Sequence, residues 1–120
     1  MGLEIKTSET NKVVVVNLIG NLDTNTAPDA ESEINNLLEK GTQKMVINLE
    51  ETRYISSAGL RIFLITAKKI TASGGVVKFC CPNEVVQEIL DISGFNTILD
   101  VKKTEEEPWS PCENYLIDIP

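Results

Sequence analysis

The chain has no histidine among its 120 residues, and this absence excludes several kinds of chemistry. A Ser-His-Asp hydrolase needs an imidazole to accept the serine proton, so that class of enzyme is excluded. The three cysteines, Cys80, Cys81 and Cys112, lack the Cys-x-x-Cys spacing of zinc and redox sites. No G-x-S-x-G turn, Lys-bearing phosphate loop or distinct carboxylate pair is present. We therefore expect no catalytic activity, metal or cofactor.

Long apolar runs and basic clusters are also missing. The longest apolar runs are far shorter than the roughly 20 residues that a transmembrane helix needs. Residues 1–4 lack the charged-then-apolar pattern of a secretion signal, so we expect a cytoplasmic protein. Of the net charge of −7, five charges fall in residues 104–120, which leaves −2 on residues 1–103. This distribution disfavours nucleic acid and anionic membranes as partners.

The length and the hydrophobic content of 42% fit one soluble domain. We assign this domain to residues 1–103 and treat residues 104–120 as an acidic tail. Its prolines prevent a regular helix across residues 107–111, but four of its residues could still pack on the domain: Trp109, Tyr115, Leu116 and Ile117.

Hydrophobic periodicity predicts strands that alternate with helices. The predicted strands are 3–7, 13–19, 44–49, 76–81 and 98–101, and the helices lie at 26–41, 60–72 and 83–94. This order indicates an α/β fold with a mostly parallel sheet of four to five strands and an antiparallel edge strand. The β-branched run 13–16 suggests that the second strand is buried on both faces. Thr26 and Asn83 are predicted N-caps, and Gly94 a left-handed C-cap.

Residues 55–60, Ile-Ser-Ser-Ala-Gly-Leu, place a serine hydroxyl at the start of the second helix. Unpaired N–H groups and the helix dipole favour negative charge there, so a phosphate would be well accommodated. The simpler interpretation is that the serine only caps the helix, a contribution of about 1 kcal/mol.

The loop at residues 20–26 should approach this serine, because both follow the carboxyl ends of predicted strands. Asp23 could then act on an incoming phosphoryl group or on the acceptor hydroxyl. The alternative is a turn aspartate that bonds to its own backbone.

The second helix has two apolar stripes. Its predicted core face consists of Leu60, Phe63, Leu64, Ala67 and Ile70. An outward stripe consists of Ala58, Ile62, Ile65 and Lys69, and it suggests a partner surface whose affinity a phosphate on Ser57 would lower. Chance exposure and a homodimer remain alternatives for this stripe.

Residues 20–23, Pro28 and residues 54–61 together resemble the STAS domain of bacterial anti-sigma factor antagonists, over residues 3 to about 101. The resemblance implies helices mainly on one face of the sheet. It also implies a phosphorylation switch that regulates transcription. The unmodified protein binds a partner that is both anti-sigma factor and kinase, phosphorylation releases it, and a serine phosphatase reverses the modification.

By position, the resemblance assigns the acceptor to Ser57, with Ser56 as second choice. The partner surface that we expect comprises Asp23, Thr24, Asn25, Ser56, Ala58, Gly59, Arg61, Ile62, Ile65 and Lys69. Two departures stand out: Ser56 replaces an aspartate that many members have, and the acidic tail replaces a fourth helix. They favour an alternative, a ligand-sensing or scaffold STAS module that phosphorylation does not switch.

Overall fold

A computed structural model describes residues 2–95 and the backbone of residues 101–102. The elements are β1 Leu3–Thr10, β2 Val13–Leu22, α1 Ala27–Glu39, β3 Lys44–Asn48, β4 Thr52–Ile55, α2 Ser57–Ala72, β5 Val76–Cys80, α3 Glu84–Ser93 and β6 Val101–Lys102. Most of the predicted strand 98–101 and the whole tail 104–120 lie outside the described residues.

The sheet is five strands wide, in the order β1-β2-β3-β5-β6. β1 runs antiparallel to β2, and the other pairs are parallel. β4 lies beside the same strand as β3, because β3 pairs with residues 13–17 of β2 and β4 with residues 20–22. The predicted α/β class, with its antiparallel edge strand, is confirmed.

β4 is the one strand of the described chain that the periodicity did not predict; it falls between the predicted strand 44–49 and the predicted helix 60–72. Its four residues alternate unevenly, since Thr52 and Ile55 are buried while Arg53 and Tyr54 are exposed. The Thr52 hydroxyl donates to the carbonyl of Leu18 at 2.6 Å, which satisfies a polar group inside the sheet. A four-residue strand with two exposed residues in its centre gives little hydrophobic signal.

The core lies on one face of the sheet. Alternate strand residues of this face pack against all three described helices: Val14, Val16, Leu18, Met45, Ile47, Leu49, Val77 and Phe79. The expectation that β2 is buried on both faces is wrong, because Val13 and Val15 are only half-buried. The helices cover one side of β2, and its valines alternate across the pleat. No helix within residues 2–95 is long and apolar enough to cross a bilayer.

Two of the three predicted helix caps are confirmed, and α2 begins at Ser57, three residues before its predicted start. Asn83 caps α3 by accepting from the Val86 N–H at 3.0 Å, and Gly94 has the predicted left-handed conformation. Thr26 stands at the start of α1 but makes no side-chain cap. Its hydroxyl donates instead to the carbonyl of Asn21 at 2.8 Å, because the preceding loop folds back over it.

Gly59, in the first turn of α2, fixes how closely the helix approaches the end of β2. A Cβ atom at this position would lie 2.8 Å from Leu22 Cγ and 2.9 Å from the Leu22 carbonyl oxygen. Both distances are shorter than a Cβ atom tolerates in a packed structure, and the backbone oxygen cannot rotate away. Only glycine lets the helix start where it does.

Gly59→Ala should therefore lower the free energy of unfolding by about 1–3 kcal/mol, because the helix must shift to relieve the overlap. Urea unfolding followed by circular dichroism measures the loss. Gly2→Ala is the control, since a Cβ there meets nothing within 4 Å. Equal stability of the two variants would show that the close approach of α2 to the end of β2 does not require a glycine at position 59.

Candidate functional site

The site lies where β2 and β4 end side by side. Leu22 and Ile55 are paired across these parallel strands, and the Ser56 N–H donates to the Leu22 carbonyl at 2.9 Å. Asp23 follows β2 directly, and Ser56 and Ser57 follow β4, so the two segments emerge at the same edge of the sheet. The two loops meet there as predicted.

The two serines of the motif occupy different environments. Ser56 is the N-cap of α2, and its Oγ accepts from the Gly59 N–H at 3.3 Å. Ser57 is the first helical residue; it is exposed, and its hydroxyl forms no hydrogen bond with any described residue. The capping interpretation therefore applies to Ser56, and the hydroxyl of Ser57 is accessible for modification.

Asp23 organises its own loop. Its Oδ1 accepts from the N–H groups of Asn25 at 2.9 Å and Thr26 at 3.1 Å. This is the turn aspartate of the simpler interpretation, and it holds the loop in which Thr24 and Asn25 are exposed. An action of Asp23 on a phosphoryl group stays a prediction.

The predicted outward stripe is not an open surface. Ile62 is only 6% exposed and belongs to the core, so its expected exposure is wrong. Lys69, two turns further on, donates to Asn35 Oδ1 of α1 at 3.1 Å. The Lys69 end of the stripe therefore faces α1, and Ile62 is part of the hydrophobic core. The other predicted contacts differ in accessibility: Ala58 and Ile65 are half-buried, Gly59 is buried, and Arg61 is exposed.

A different stripe of α2 is accessible. Ser57, Arg61 and Lys68 are exposed and Leu64 is half-buried, and these four residues recur at the i, i+4, i+7 and i+11 spacing of one helix face. We call them the serine stripe. The sequence interpretation placed Leu64 in the core and omitted Lys68. The regular spacing of two cations around Ser57 and Leu64 was the signal that could have found them.

The electrostatics of the serine stripe favour an anion at its beginning. The first turn of α2 contains no acidic residue, and the N–H groups there carry the positive end of the helix dipole. Arg61 lies one turn after Ser57, at the spacing where side chains of a helix interact. A phosphate on Ser57 could thus be neutralised without rearrangement of the backbone.

The fold is that of bacterial anti-sigma factor antagonists of known structure. A Thermotoga maritima protein described as such an antagonist superposes with a TM-score of 0.80 at 24% identity, over 86% of this chain and 89% of the other. SpoIIAA of Bacillus is similar in its unphosphorylated form, with a TM-score of 0.69, 17% identity, and coverage of 95% and 99%. Its phosphorylated form gives a TM-score of 0.67, 22% identity, and coverage of 87% and 95%.

The STAS domain model matches residues 4–107, and the chain belongs to the STAS domain family. A relative from Bordetella bronchiseptica, BtrV, bears the name of an anti-sigma factor antagonist. It is 33% identical over 94 residues, which cover 78% of this chain and 81% of BtrV. The resemblance seen in the sequence is confirmed.

The different environments of the two serines predict different effects of their removal. Ser56→Ala should lower the free energy of unfolding by about 1 kcal/mol, because the Gly59 N–H loses its acceptor. Ser57→Ala should stay within about 0.5 kcal/mol of the unmodified protein, as exposed positions usually do. Paired urea titrations measure both changes. A larger loss for Ser57→Ala than for Ser56→Ala would reverse the assignment of the cap.

Proposed function

We propose that this protein is a non-catalytic anti-sigma factor antagonist, switched by phosphorylation of Ser57. Unmodified, it binds a kinase-type anti-sigma factor and so frees a sigma factor for transcription; phosphorylated, it is released. The observation that carries the proposal is the exposed Ser57 hydroxyl at the start of a helix and of the serine stripe. SpoIIAA, whose structures include a phosphorylated form, has the same fold.

The start of α2 suits the product of phosphoryl transfer. A phosphoserine carries about −1.5 to −2 charges and three acceptor oxygens. These oxygens would lie near unpaired N–H groups of the first turn, and Arg61 is one turn away. The folded state should therefore tolerate the phosphate, so the modification leaves the protein intact and changes what it presents to a partner.

The serine stripe explains how the phosphate would release a partner. Arg61 and Lys68 present positive charge around the apolar Leu64, which suits a partner surface with acidic side chains around an apolar centre. A phosphate at the end of this stripe would repel such a surface and draw Arg61 away from it. Charge reversal at a desolvated contact can cost several kcal/mol of binding free energy.

In this proposal the protein is the substrate of its partner. The kinase would bind ATP and its metal ion and supply the group that accepts the serine proton; the γ-phosphoryl group would pass to the Ser57 oxygen and ADP would leave. A serine phosphatase would hydrolyse the phosphate again. The chain itself supplies a hydroxyl held at a fixed place. Asp23 contributes by fixing the loop beside that hydroxyl through its bonds to Asn25 and Thr26.

Mixing the protein with the kinase-type anti-sigma factors of its own organism and ATP should add one phosphoryl group. Fragmentation of the intact protein should place it on Ser57, because the Ser56 hydroxyl is half-buried and engaged as the cap. Ser57→Ala should remove the mass gain while the binding of the kinase without ATP persists. A phosphate on Ser56, or no mass gain with any of these kinases, would contradict the switch and favour an unswitched STAS module.

Ser57→Asp should weaken binding to the anti-sigma factor by roughly tenfold or more, because it adds charge at the rim of the contact. Isothermal titration calorimetry measures the dissociation constant. Ser32→Asp is the matched control, since Ser32 is an exposed residue of α1 that belongs neither to the predicted partner surface nor to the serine stripe. Equal affinities of wild type and Ser57→Asp would overturn the mechanism.

The affinity for the anti-sigma factor should depend on Leu64, the residue in the centre of the serine stripe. Leu64→Asp should weaken binding by roughly a hundredfold, the scale of an apolar anchor lost from a contact. The same calorimetry, with Ser32→Asp again as control, gives the comparison. Affinity unchanged by Leu64→Asp in a folded variant would show that the partner binds elsewhere.

A further inference from the structure

Two adjacent cysteines lie at the end of β5, and their sulfur atoms are in contact. Cys80 is the last residue of the strand, and Cys81 is the first residue of the connection to α3. The Cys81 thiol donates to the Cys80 Sγ at 3.0 Å, and both side chains are reduced thiols. We call this pair the adjacent dithiol. The proposed function does not use it.

The contact between the two sulfur atoms depends on the backbone conformation of Cys81. In a regular strand, successive side chains point to opposite faces of the sheet, so neighbouring sulfur atoms would lie apart. Cys81 has a φ of 64°, in the left-handed region that residues with a side chain rarely adopt. The chain turns at this residue, and the turn places its thiol beside that of Cys80. Backbone strain of this kind is concentrated at functional sites.

The two thiols differ in their exposure in the way that a two-step oxidation requires. Cys81 is half-buried, so part of the residue is open to molecules in solution. Cys80 is fully buried, and its sulfur contacts that of Cys81. Cys81 is therefore placed to react first with an oxidant, and Cys80 is placed to react with the product.

We propose that the adjacent dithiol is a reversible oxidation site, which a low-molecular-weight disulfide converts into a bond between Cys80 and Cys81. The Cys81 thiol loses its proton, and the thiolate attacks one sulfur of the small disulfide. The other half of that disulfide leaves and takes up a proton. The Cys80 thiol then loses its proton and attacks the Cys81 sulfur, and the second small thiol leaves. The protein gives up two electrons and two protons, and the small disulfide becomes two thiols.

A disulfide between adjacent residues should be easily reduced. Neighbouring Cα atoms are about 3.8 Å apart across a trans peptide bond, whereas most disulfides join Cα atoms about 4.4–6.8 Å apart. A disulfide at the shorter separation is strained, and strained disulfides are the readily reduced ones. The pair therefore suits a modification that follows the redox conditions, and it does not suit a permanent crosslink.

The adjacent dithiol belongs to a segment that is bonded to two other strands. The Cys80 carbonyl accepts from the Leu49 N–H at 2.9 Å, just after β3. Two residues after Cys81, the Asn83 amide donates to the Thr52 carbonyl of β4 at 2.6 Å. Since β2, β3, β4 and β5 are parallel, the dithiol lies at the same edge of the sheet as the candidate site. The oxidation itself does not depend on the proposed function.

Oxidised glutathione tests the proposal in a full-length Cys112→Ser variant, in which Cys80 and Cys81 are the only thiols. Incubation should lower the intact mass by two hydrogen atoms, and no glutathione should stay attached. After unfolding, N-ethylmaleimide should add two groups to the reduced protein and none to the oxidised protein. An excess of reduced glutathione should restore the original mass.

Single substitutions in the same background separate the roles of the two thiols. Cys80→Ser should retain one glutathione on Cys81, because no second thiol displaces it. Cys81→Ser should react at least about tenfold more slowly than Cys80→Ser, because its remaining thiol is buried. The reverse order would contradict the assignment of Cys81 as the attacking thiol. The mass change of the Cys112→Ser variant needs neither substitution, so it decides the proposal even where one of them prevents folding.

Three results would overturn the proposal. The first is a stable glutathione adduct on the Cys112→Ser variant, which would show that the two thiols do not react with each other. The second is a disulfide from Cys80 or Cys81 to Cys112 of the unsubstituted chain, or to a second chain, in place of the bond between the adjacent residues. The third is an unchanged mass in excess oxidised glutathione, which would show that neither thiol is oxidised.

Discussion

The parallel pairing of β2 with β4 is the constraint on which the site depends. The bond from the Ser56 N–H to the Leu22 carbonyl joins the two strand ends, and Gly59 lets the first turn of α2 close over them. With these contacts in place, the position of Ser57 follows without any contact of its own. The hydroxyl can thus remain accessible while its position is fixed by the backbone.

The two adjacent serines have different roles because of this arrangement. A serine that caps a helix has its oxygen occupied by a backbone N–H, and its modification would break that bond. Ser56 takes that role, so Ser57 makes no contribution to the helix start that a phosphate would remove. The replacement of an aspartate by Ser56 then changes the capping group, since both residue types are good N-caps.

Strong periodic signals made much of the fold predictable from the sequence. Valine-rich β2, the Asn83 cap and Gly94 each express one local preference that the tertiary structure does not oppose. The site was predicted less well, because its accessibility depends on how α2 packs against α1. A helical period identifies stripes, but it cannot say which of two apolar stripes a neighbouring helix will cover. For that reason we predicted an exposed Ile62 and a buried Leu64, whereas Ile62 is buried and Leu64 is half-buried.

The charges around Ser57 should let a phosphate change partner binding without changing the stability of the fold. A phosphate on Ser57 would meet helix N–H groups and Arg61, so the folded protein would tolerate its charge before any partner binds. Its effect on folding should therefore be small, and nearly all of its free energy should appear as a difference between partner-bound and free states. A switch of this kind requires no second conformation of the domain. A rigid sheet that fixes the serine is then an advantage, because none of the binding difference is lost in deforming the protein.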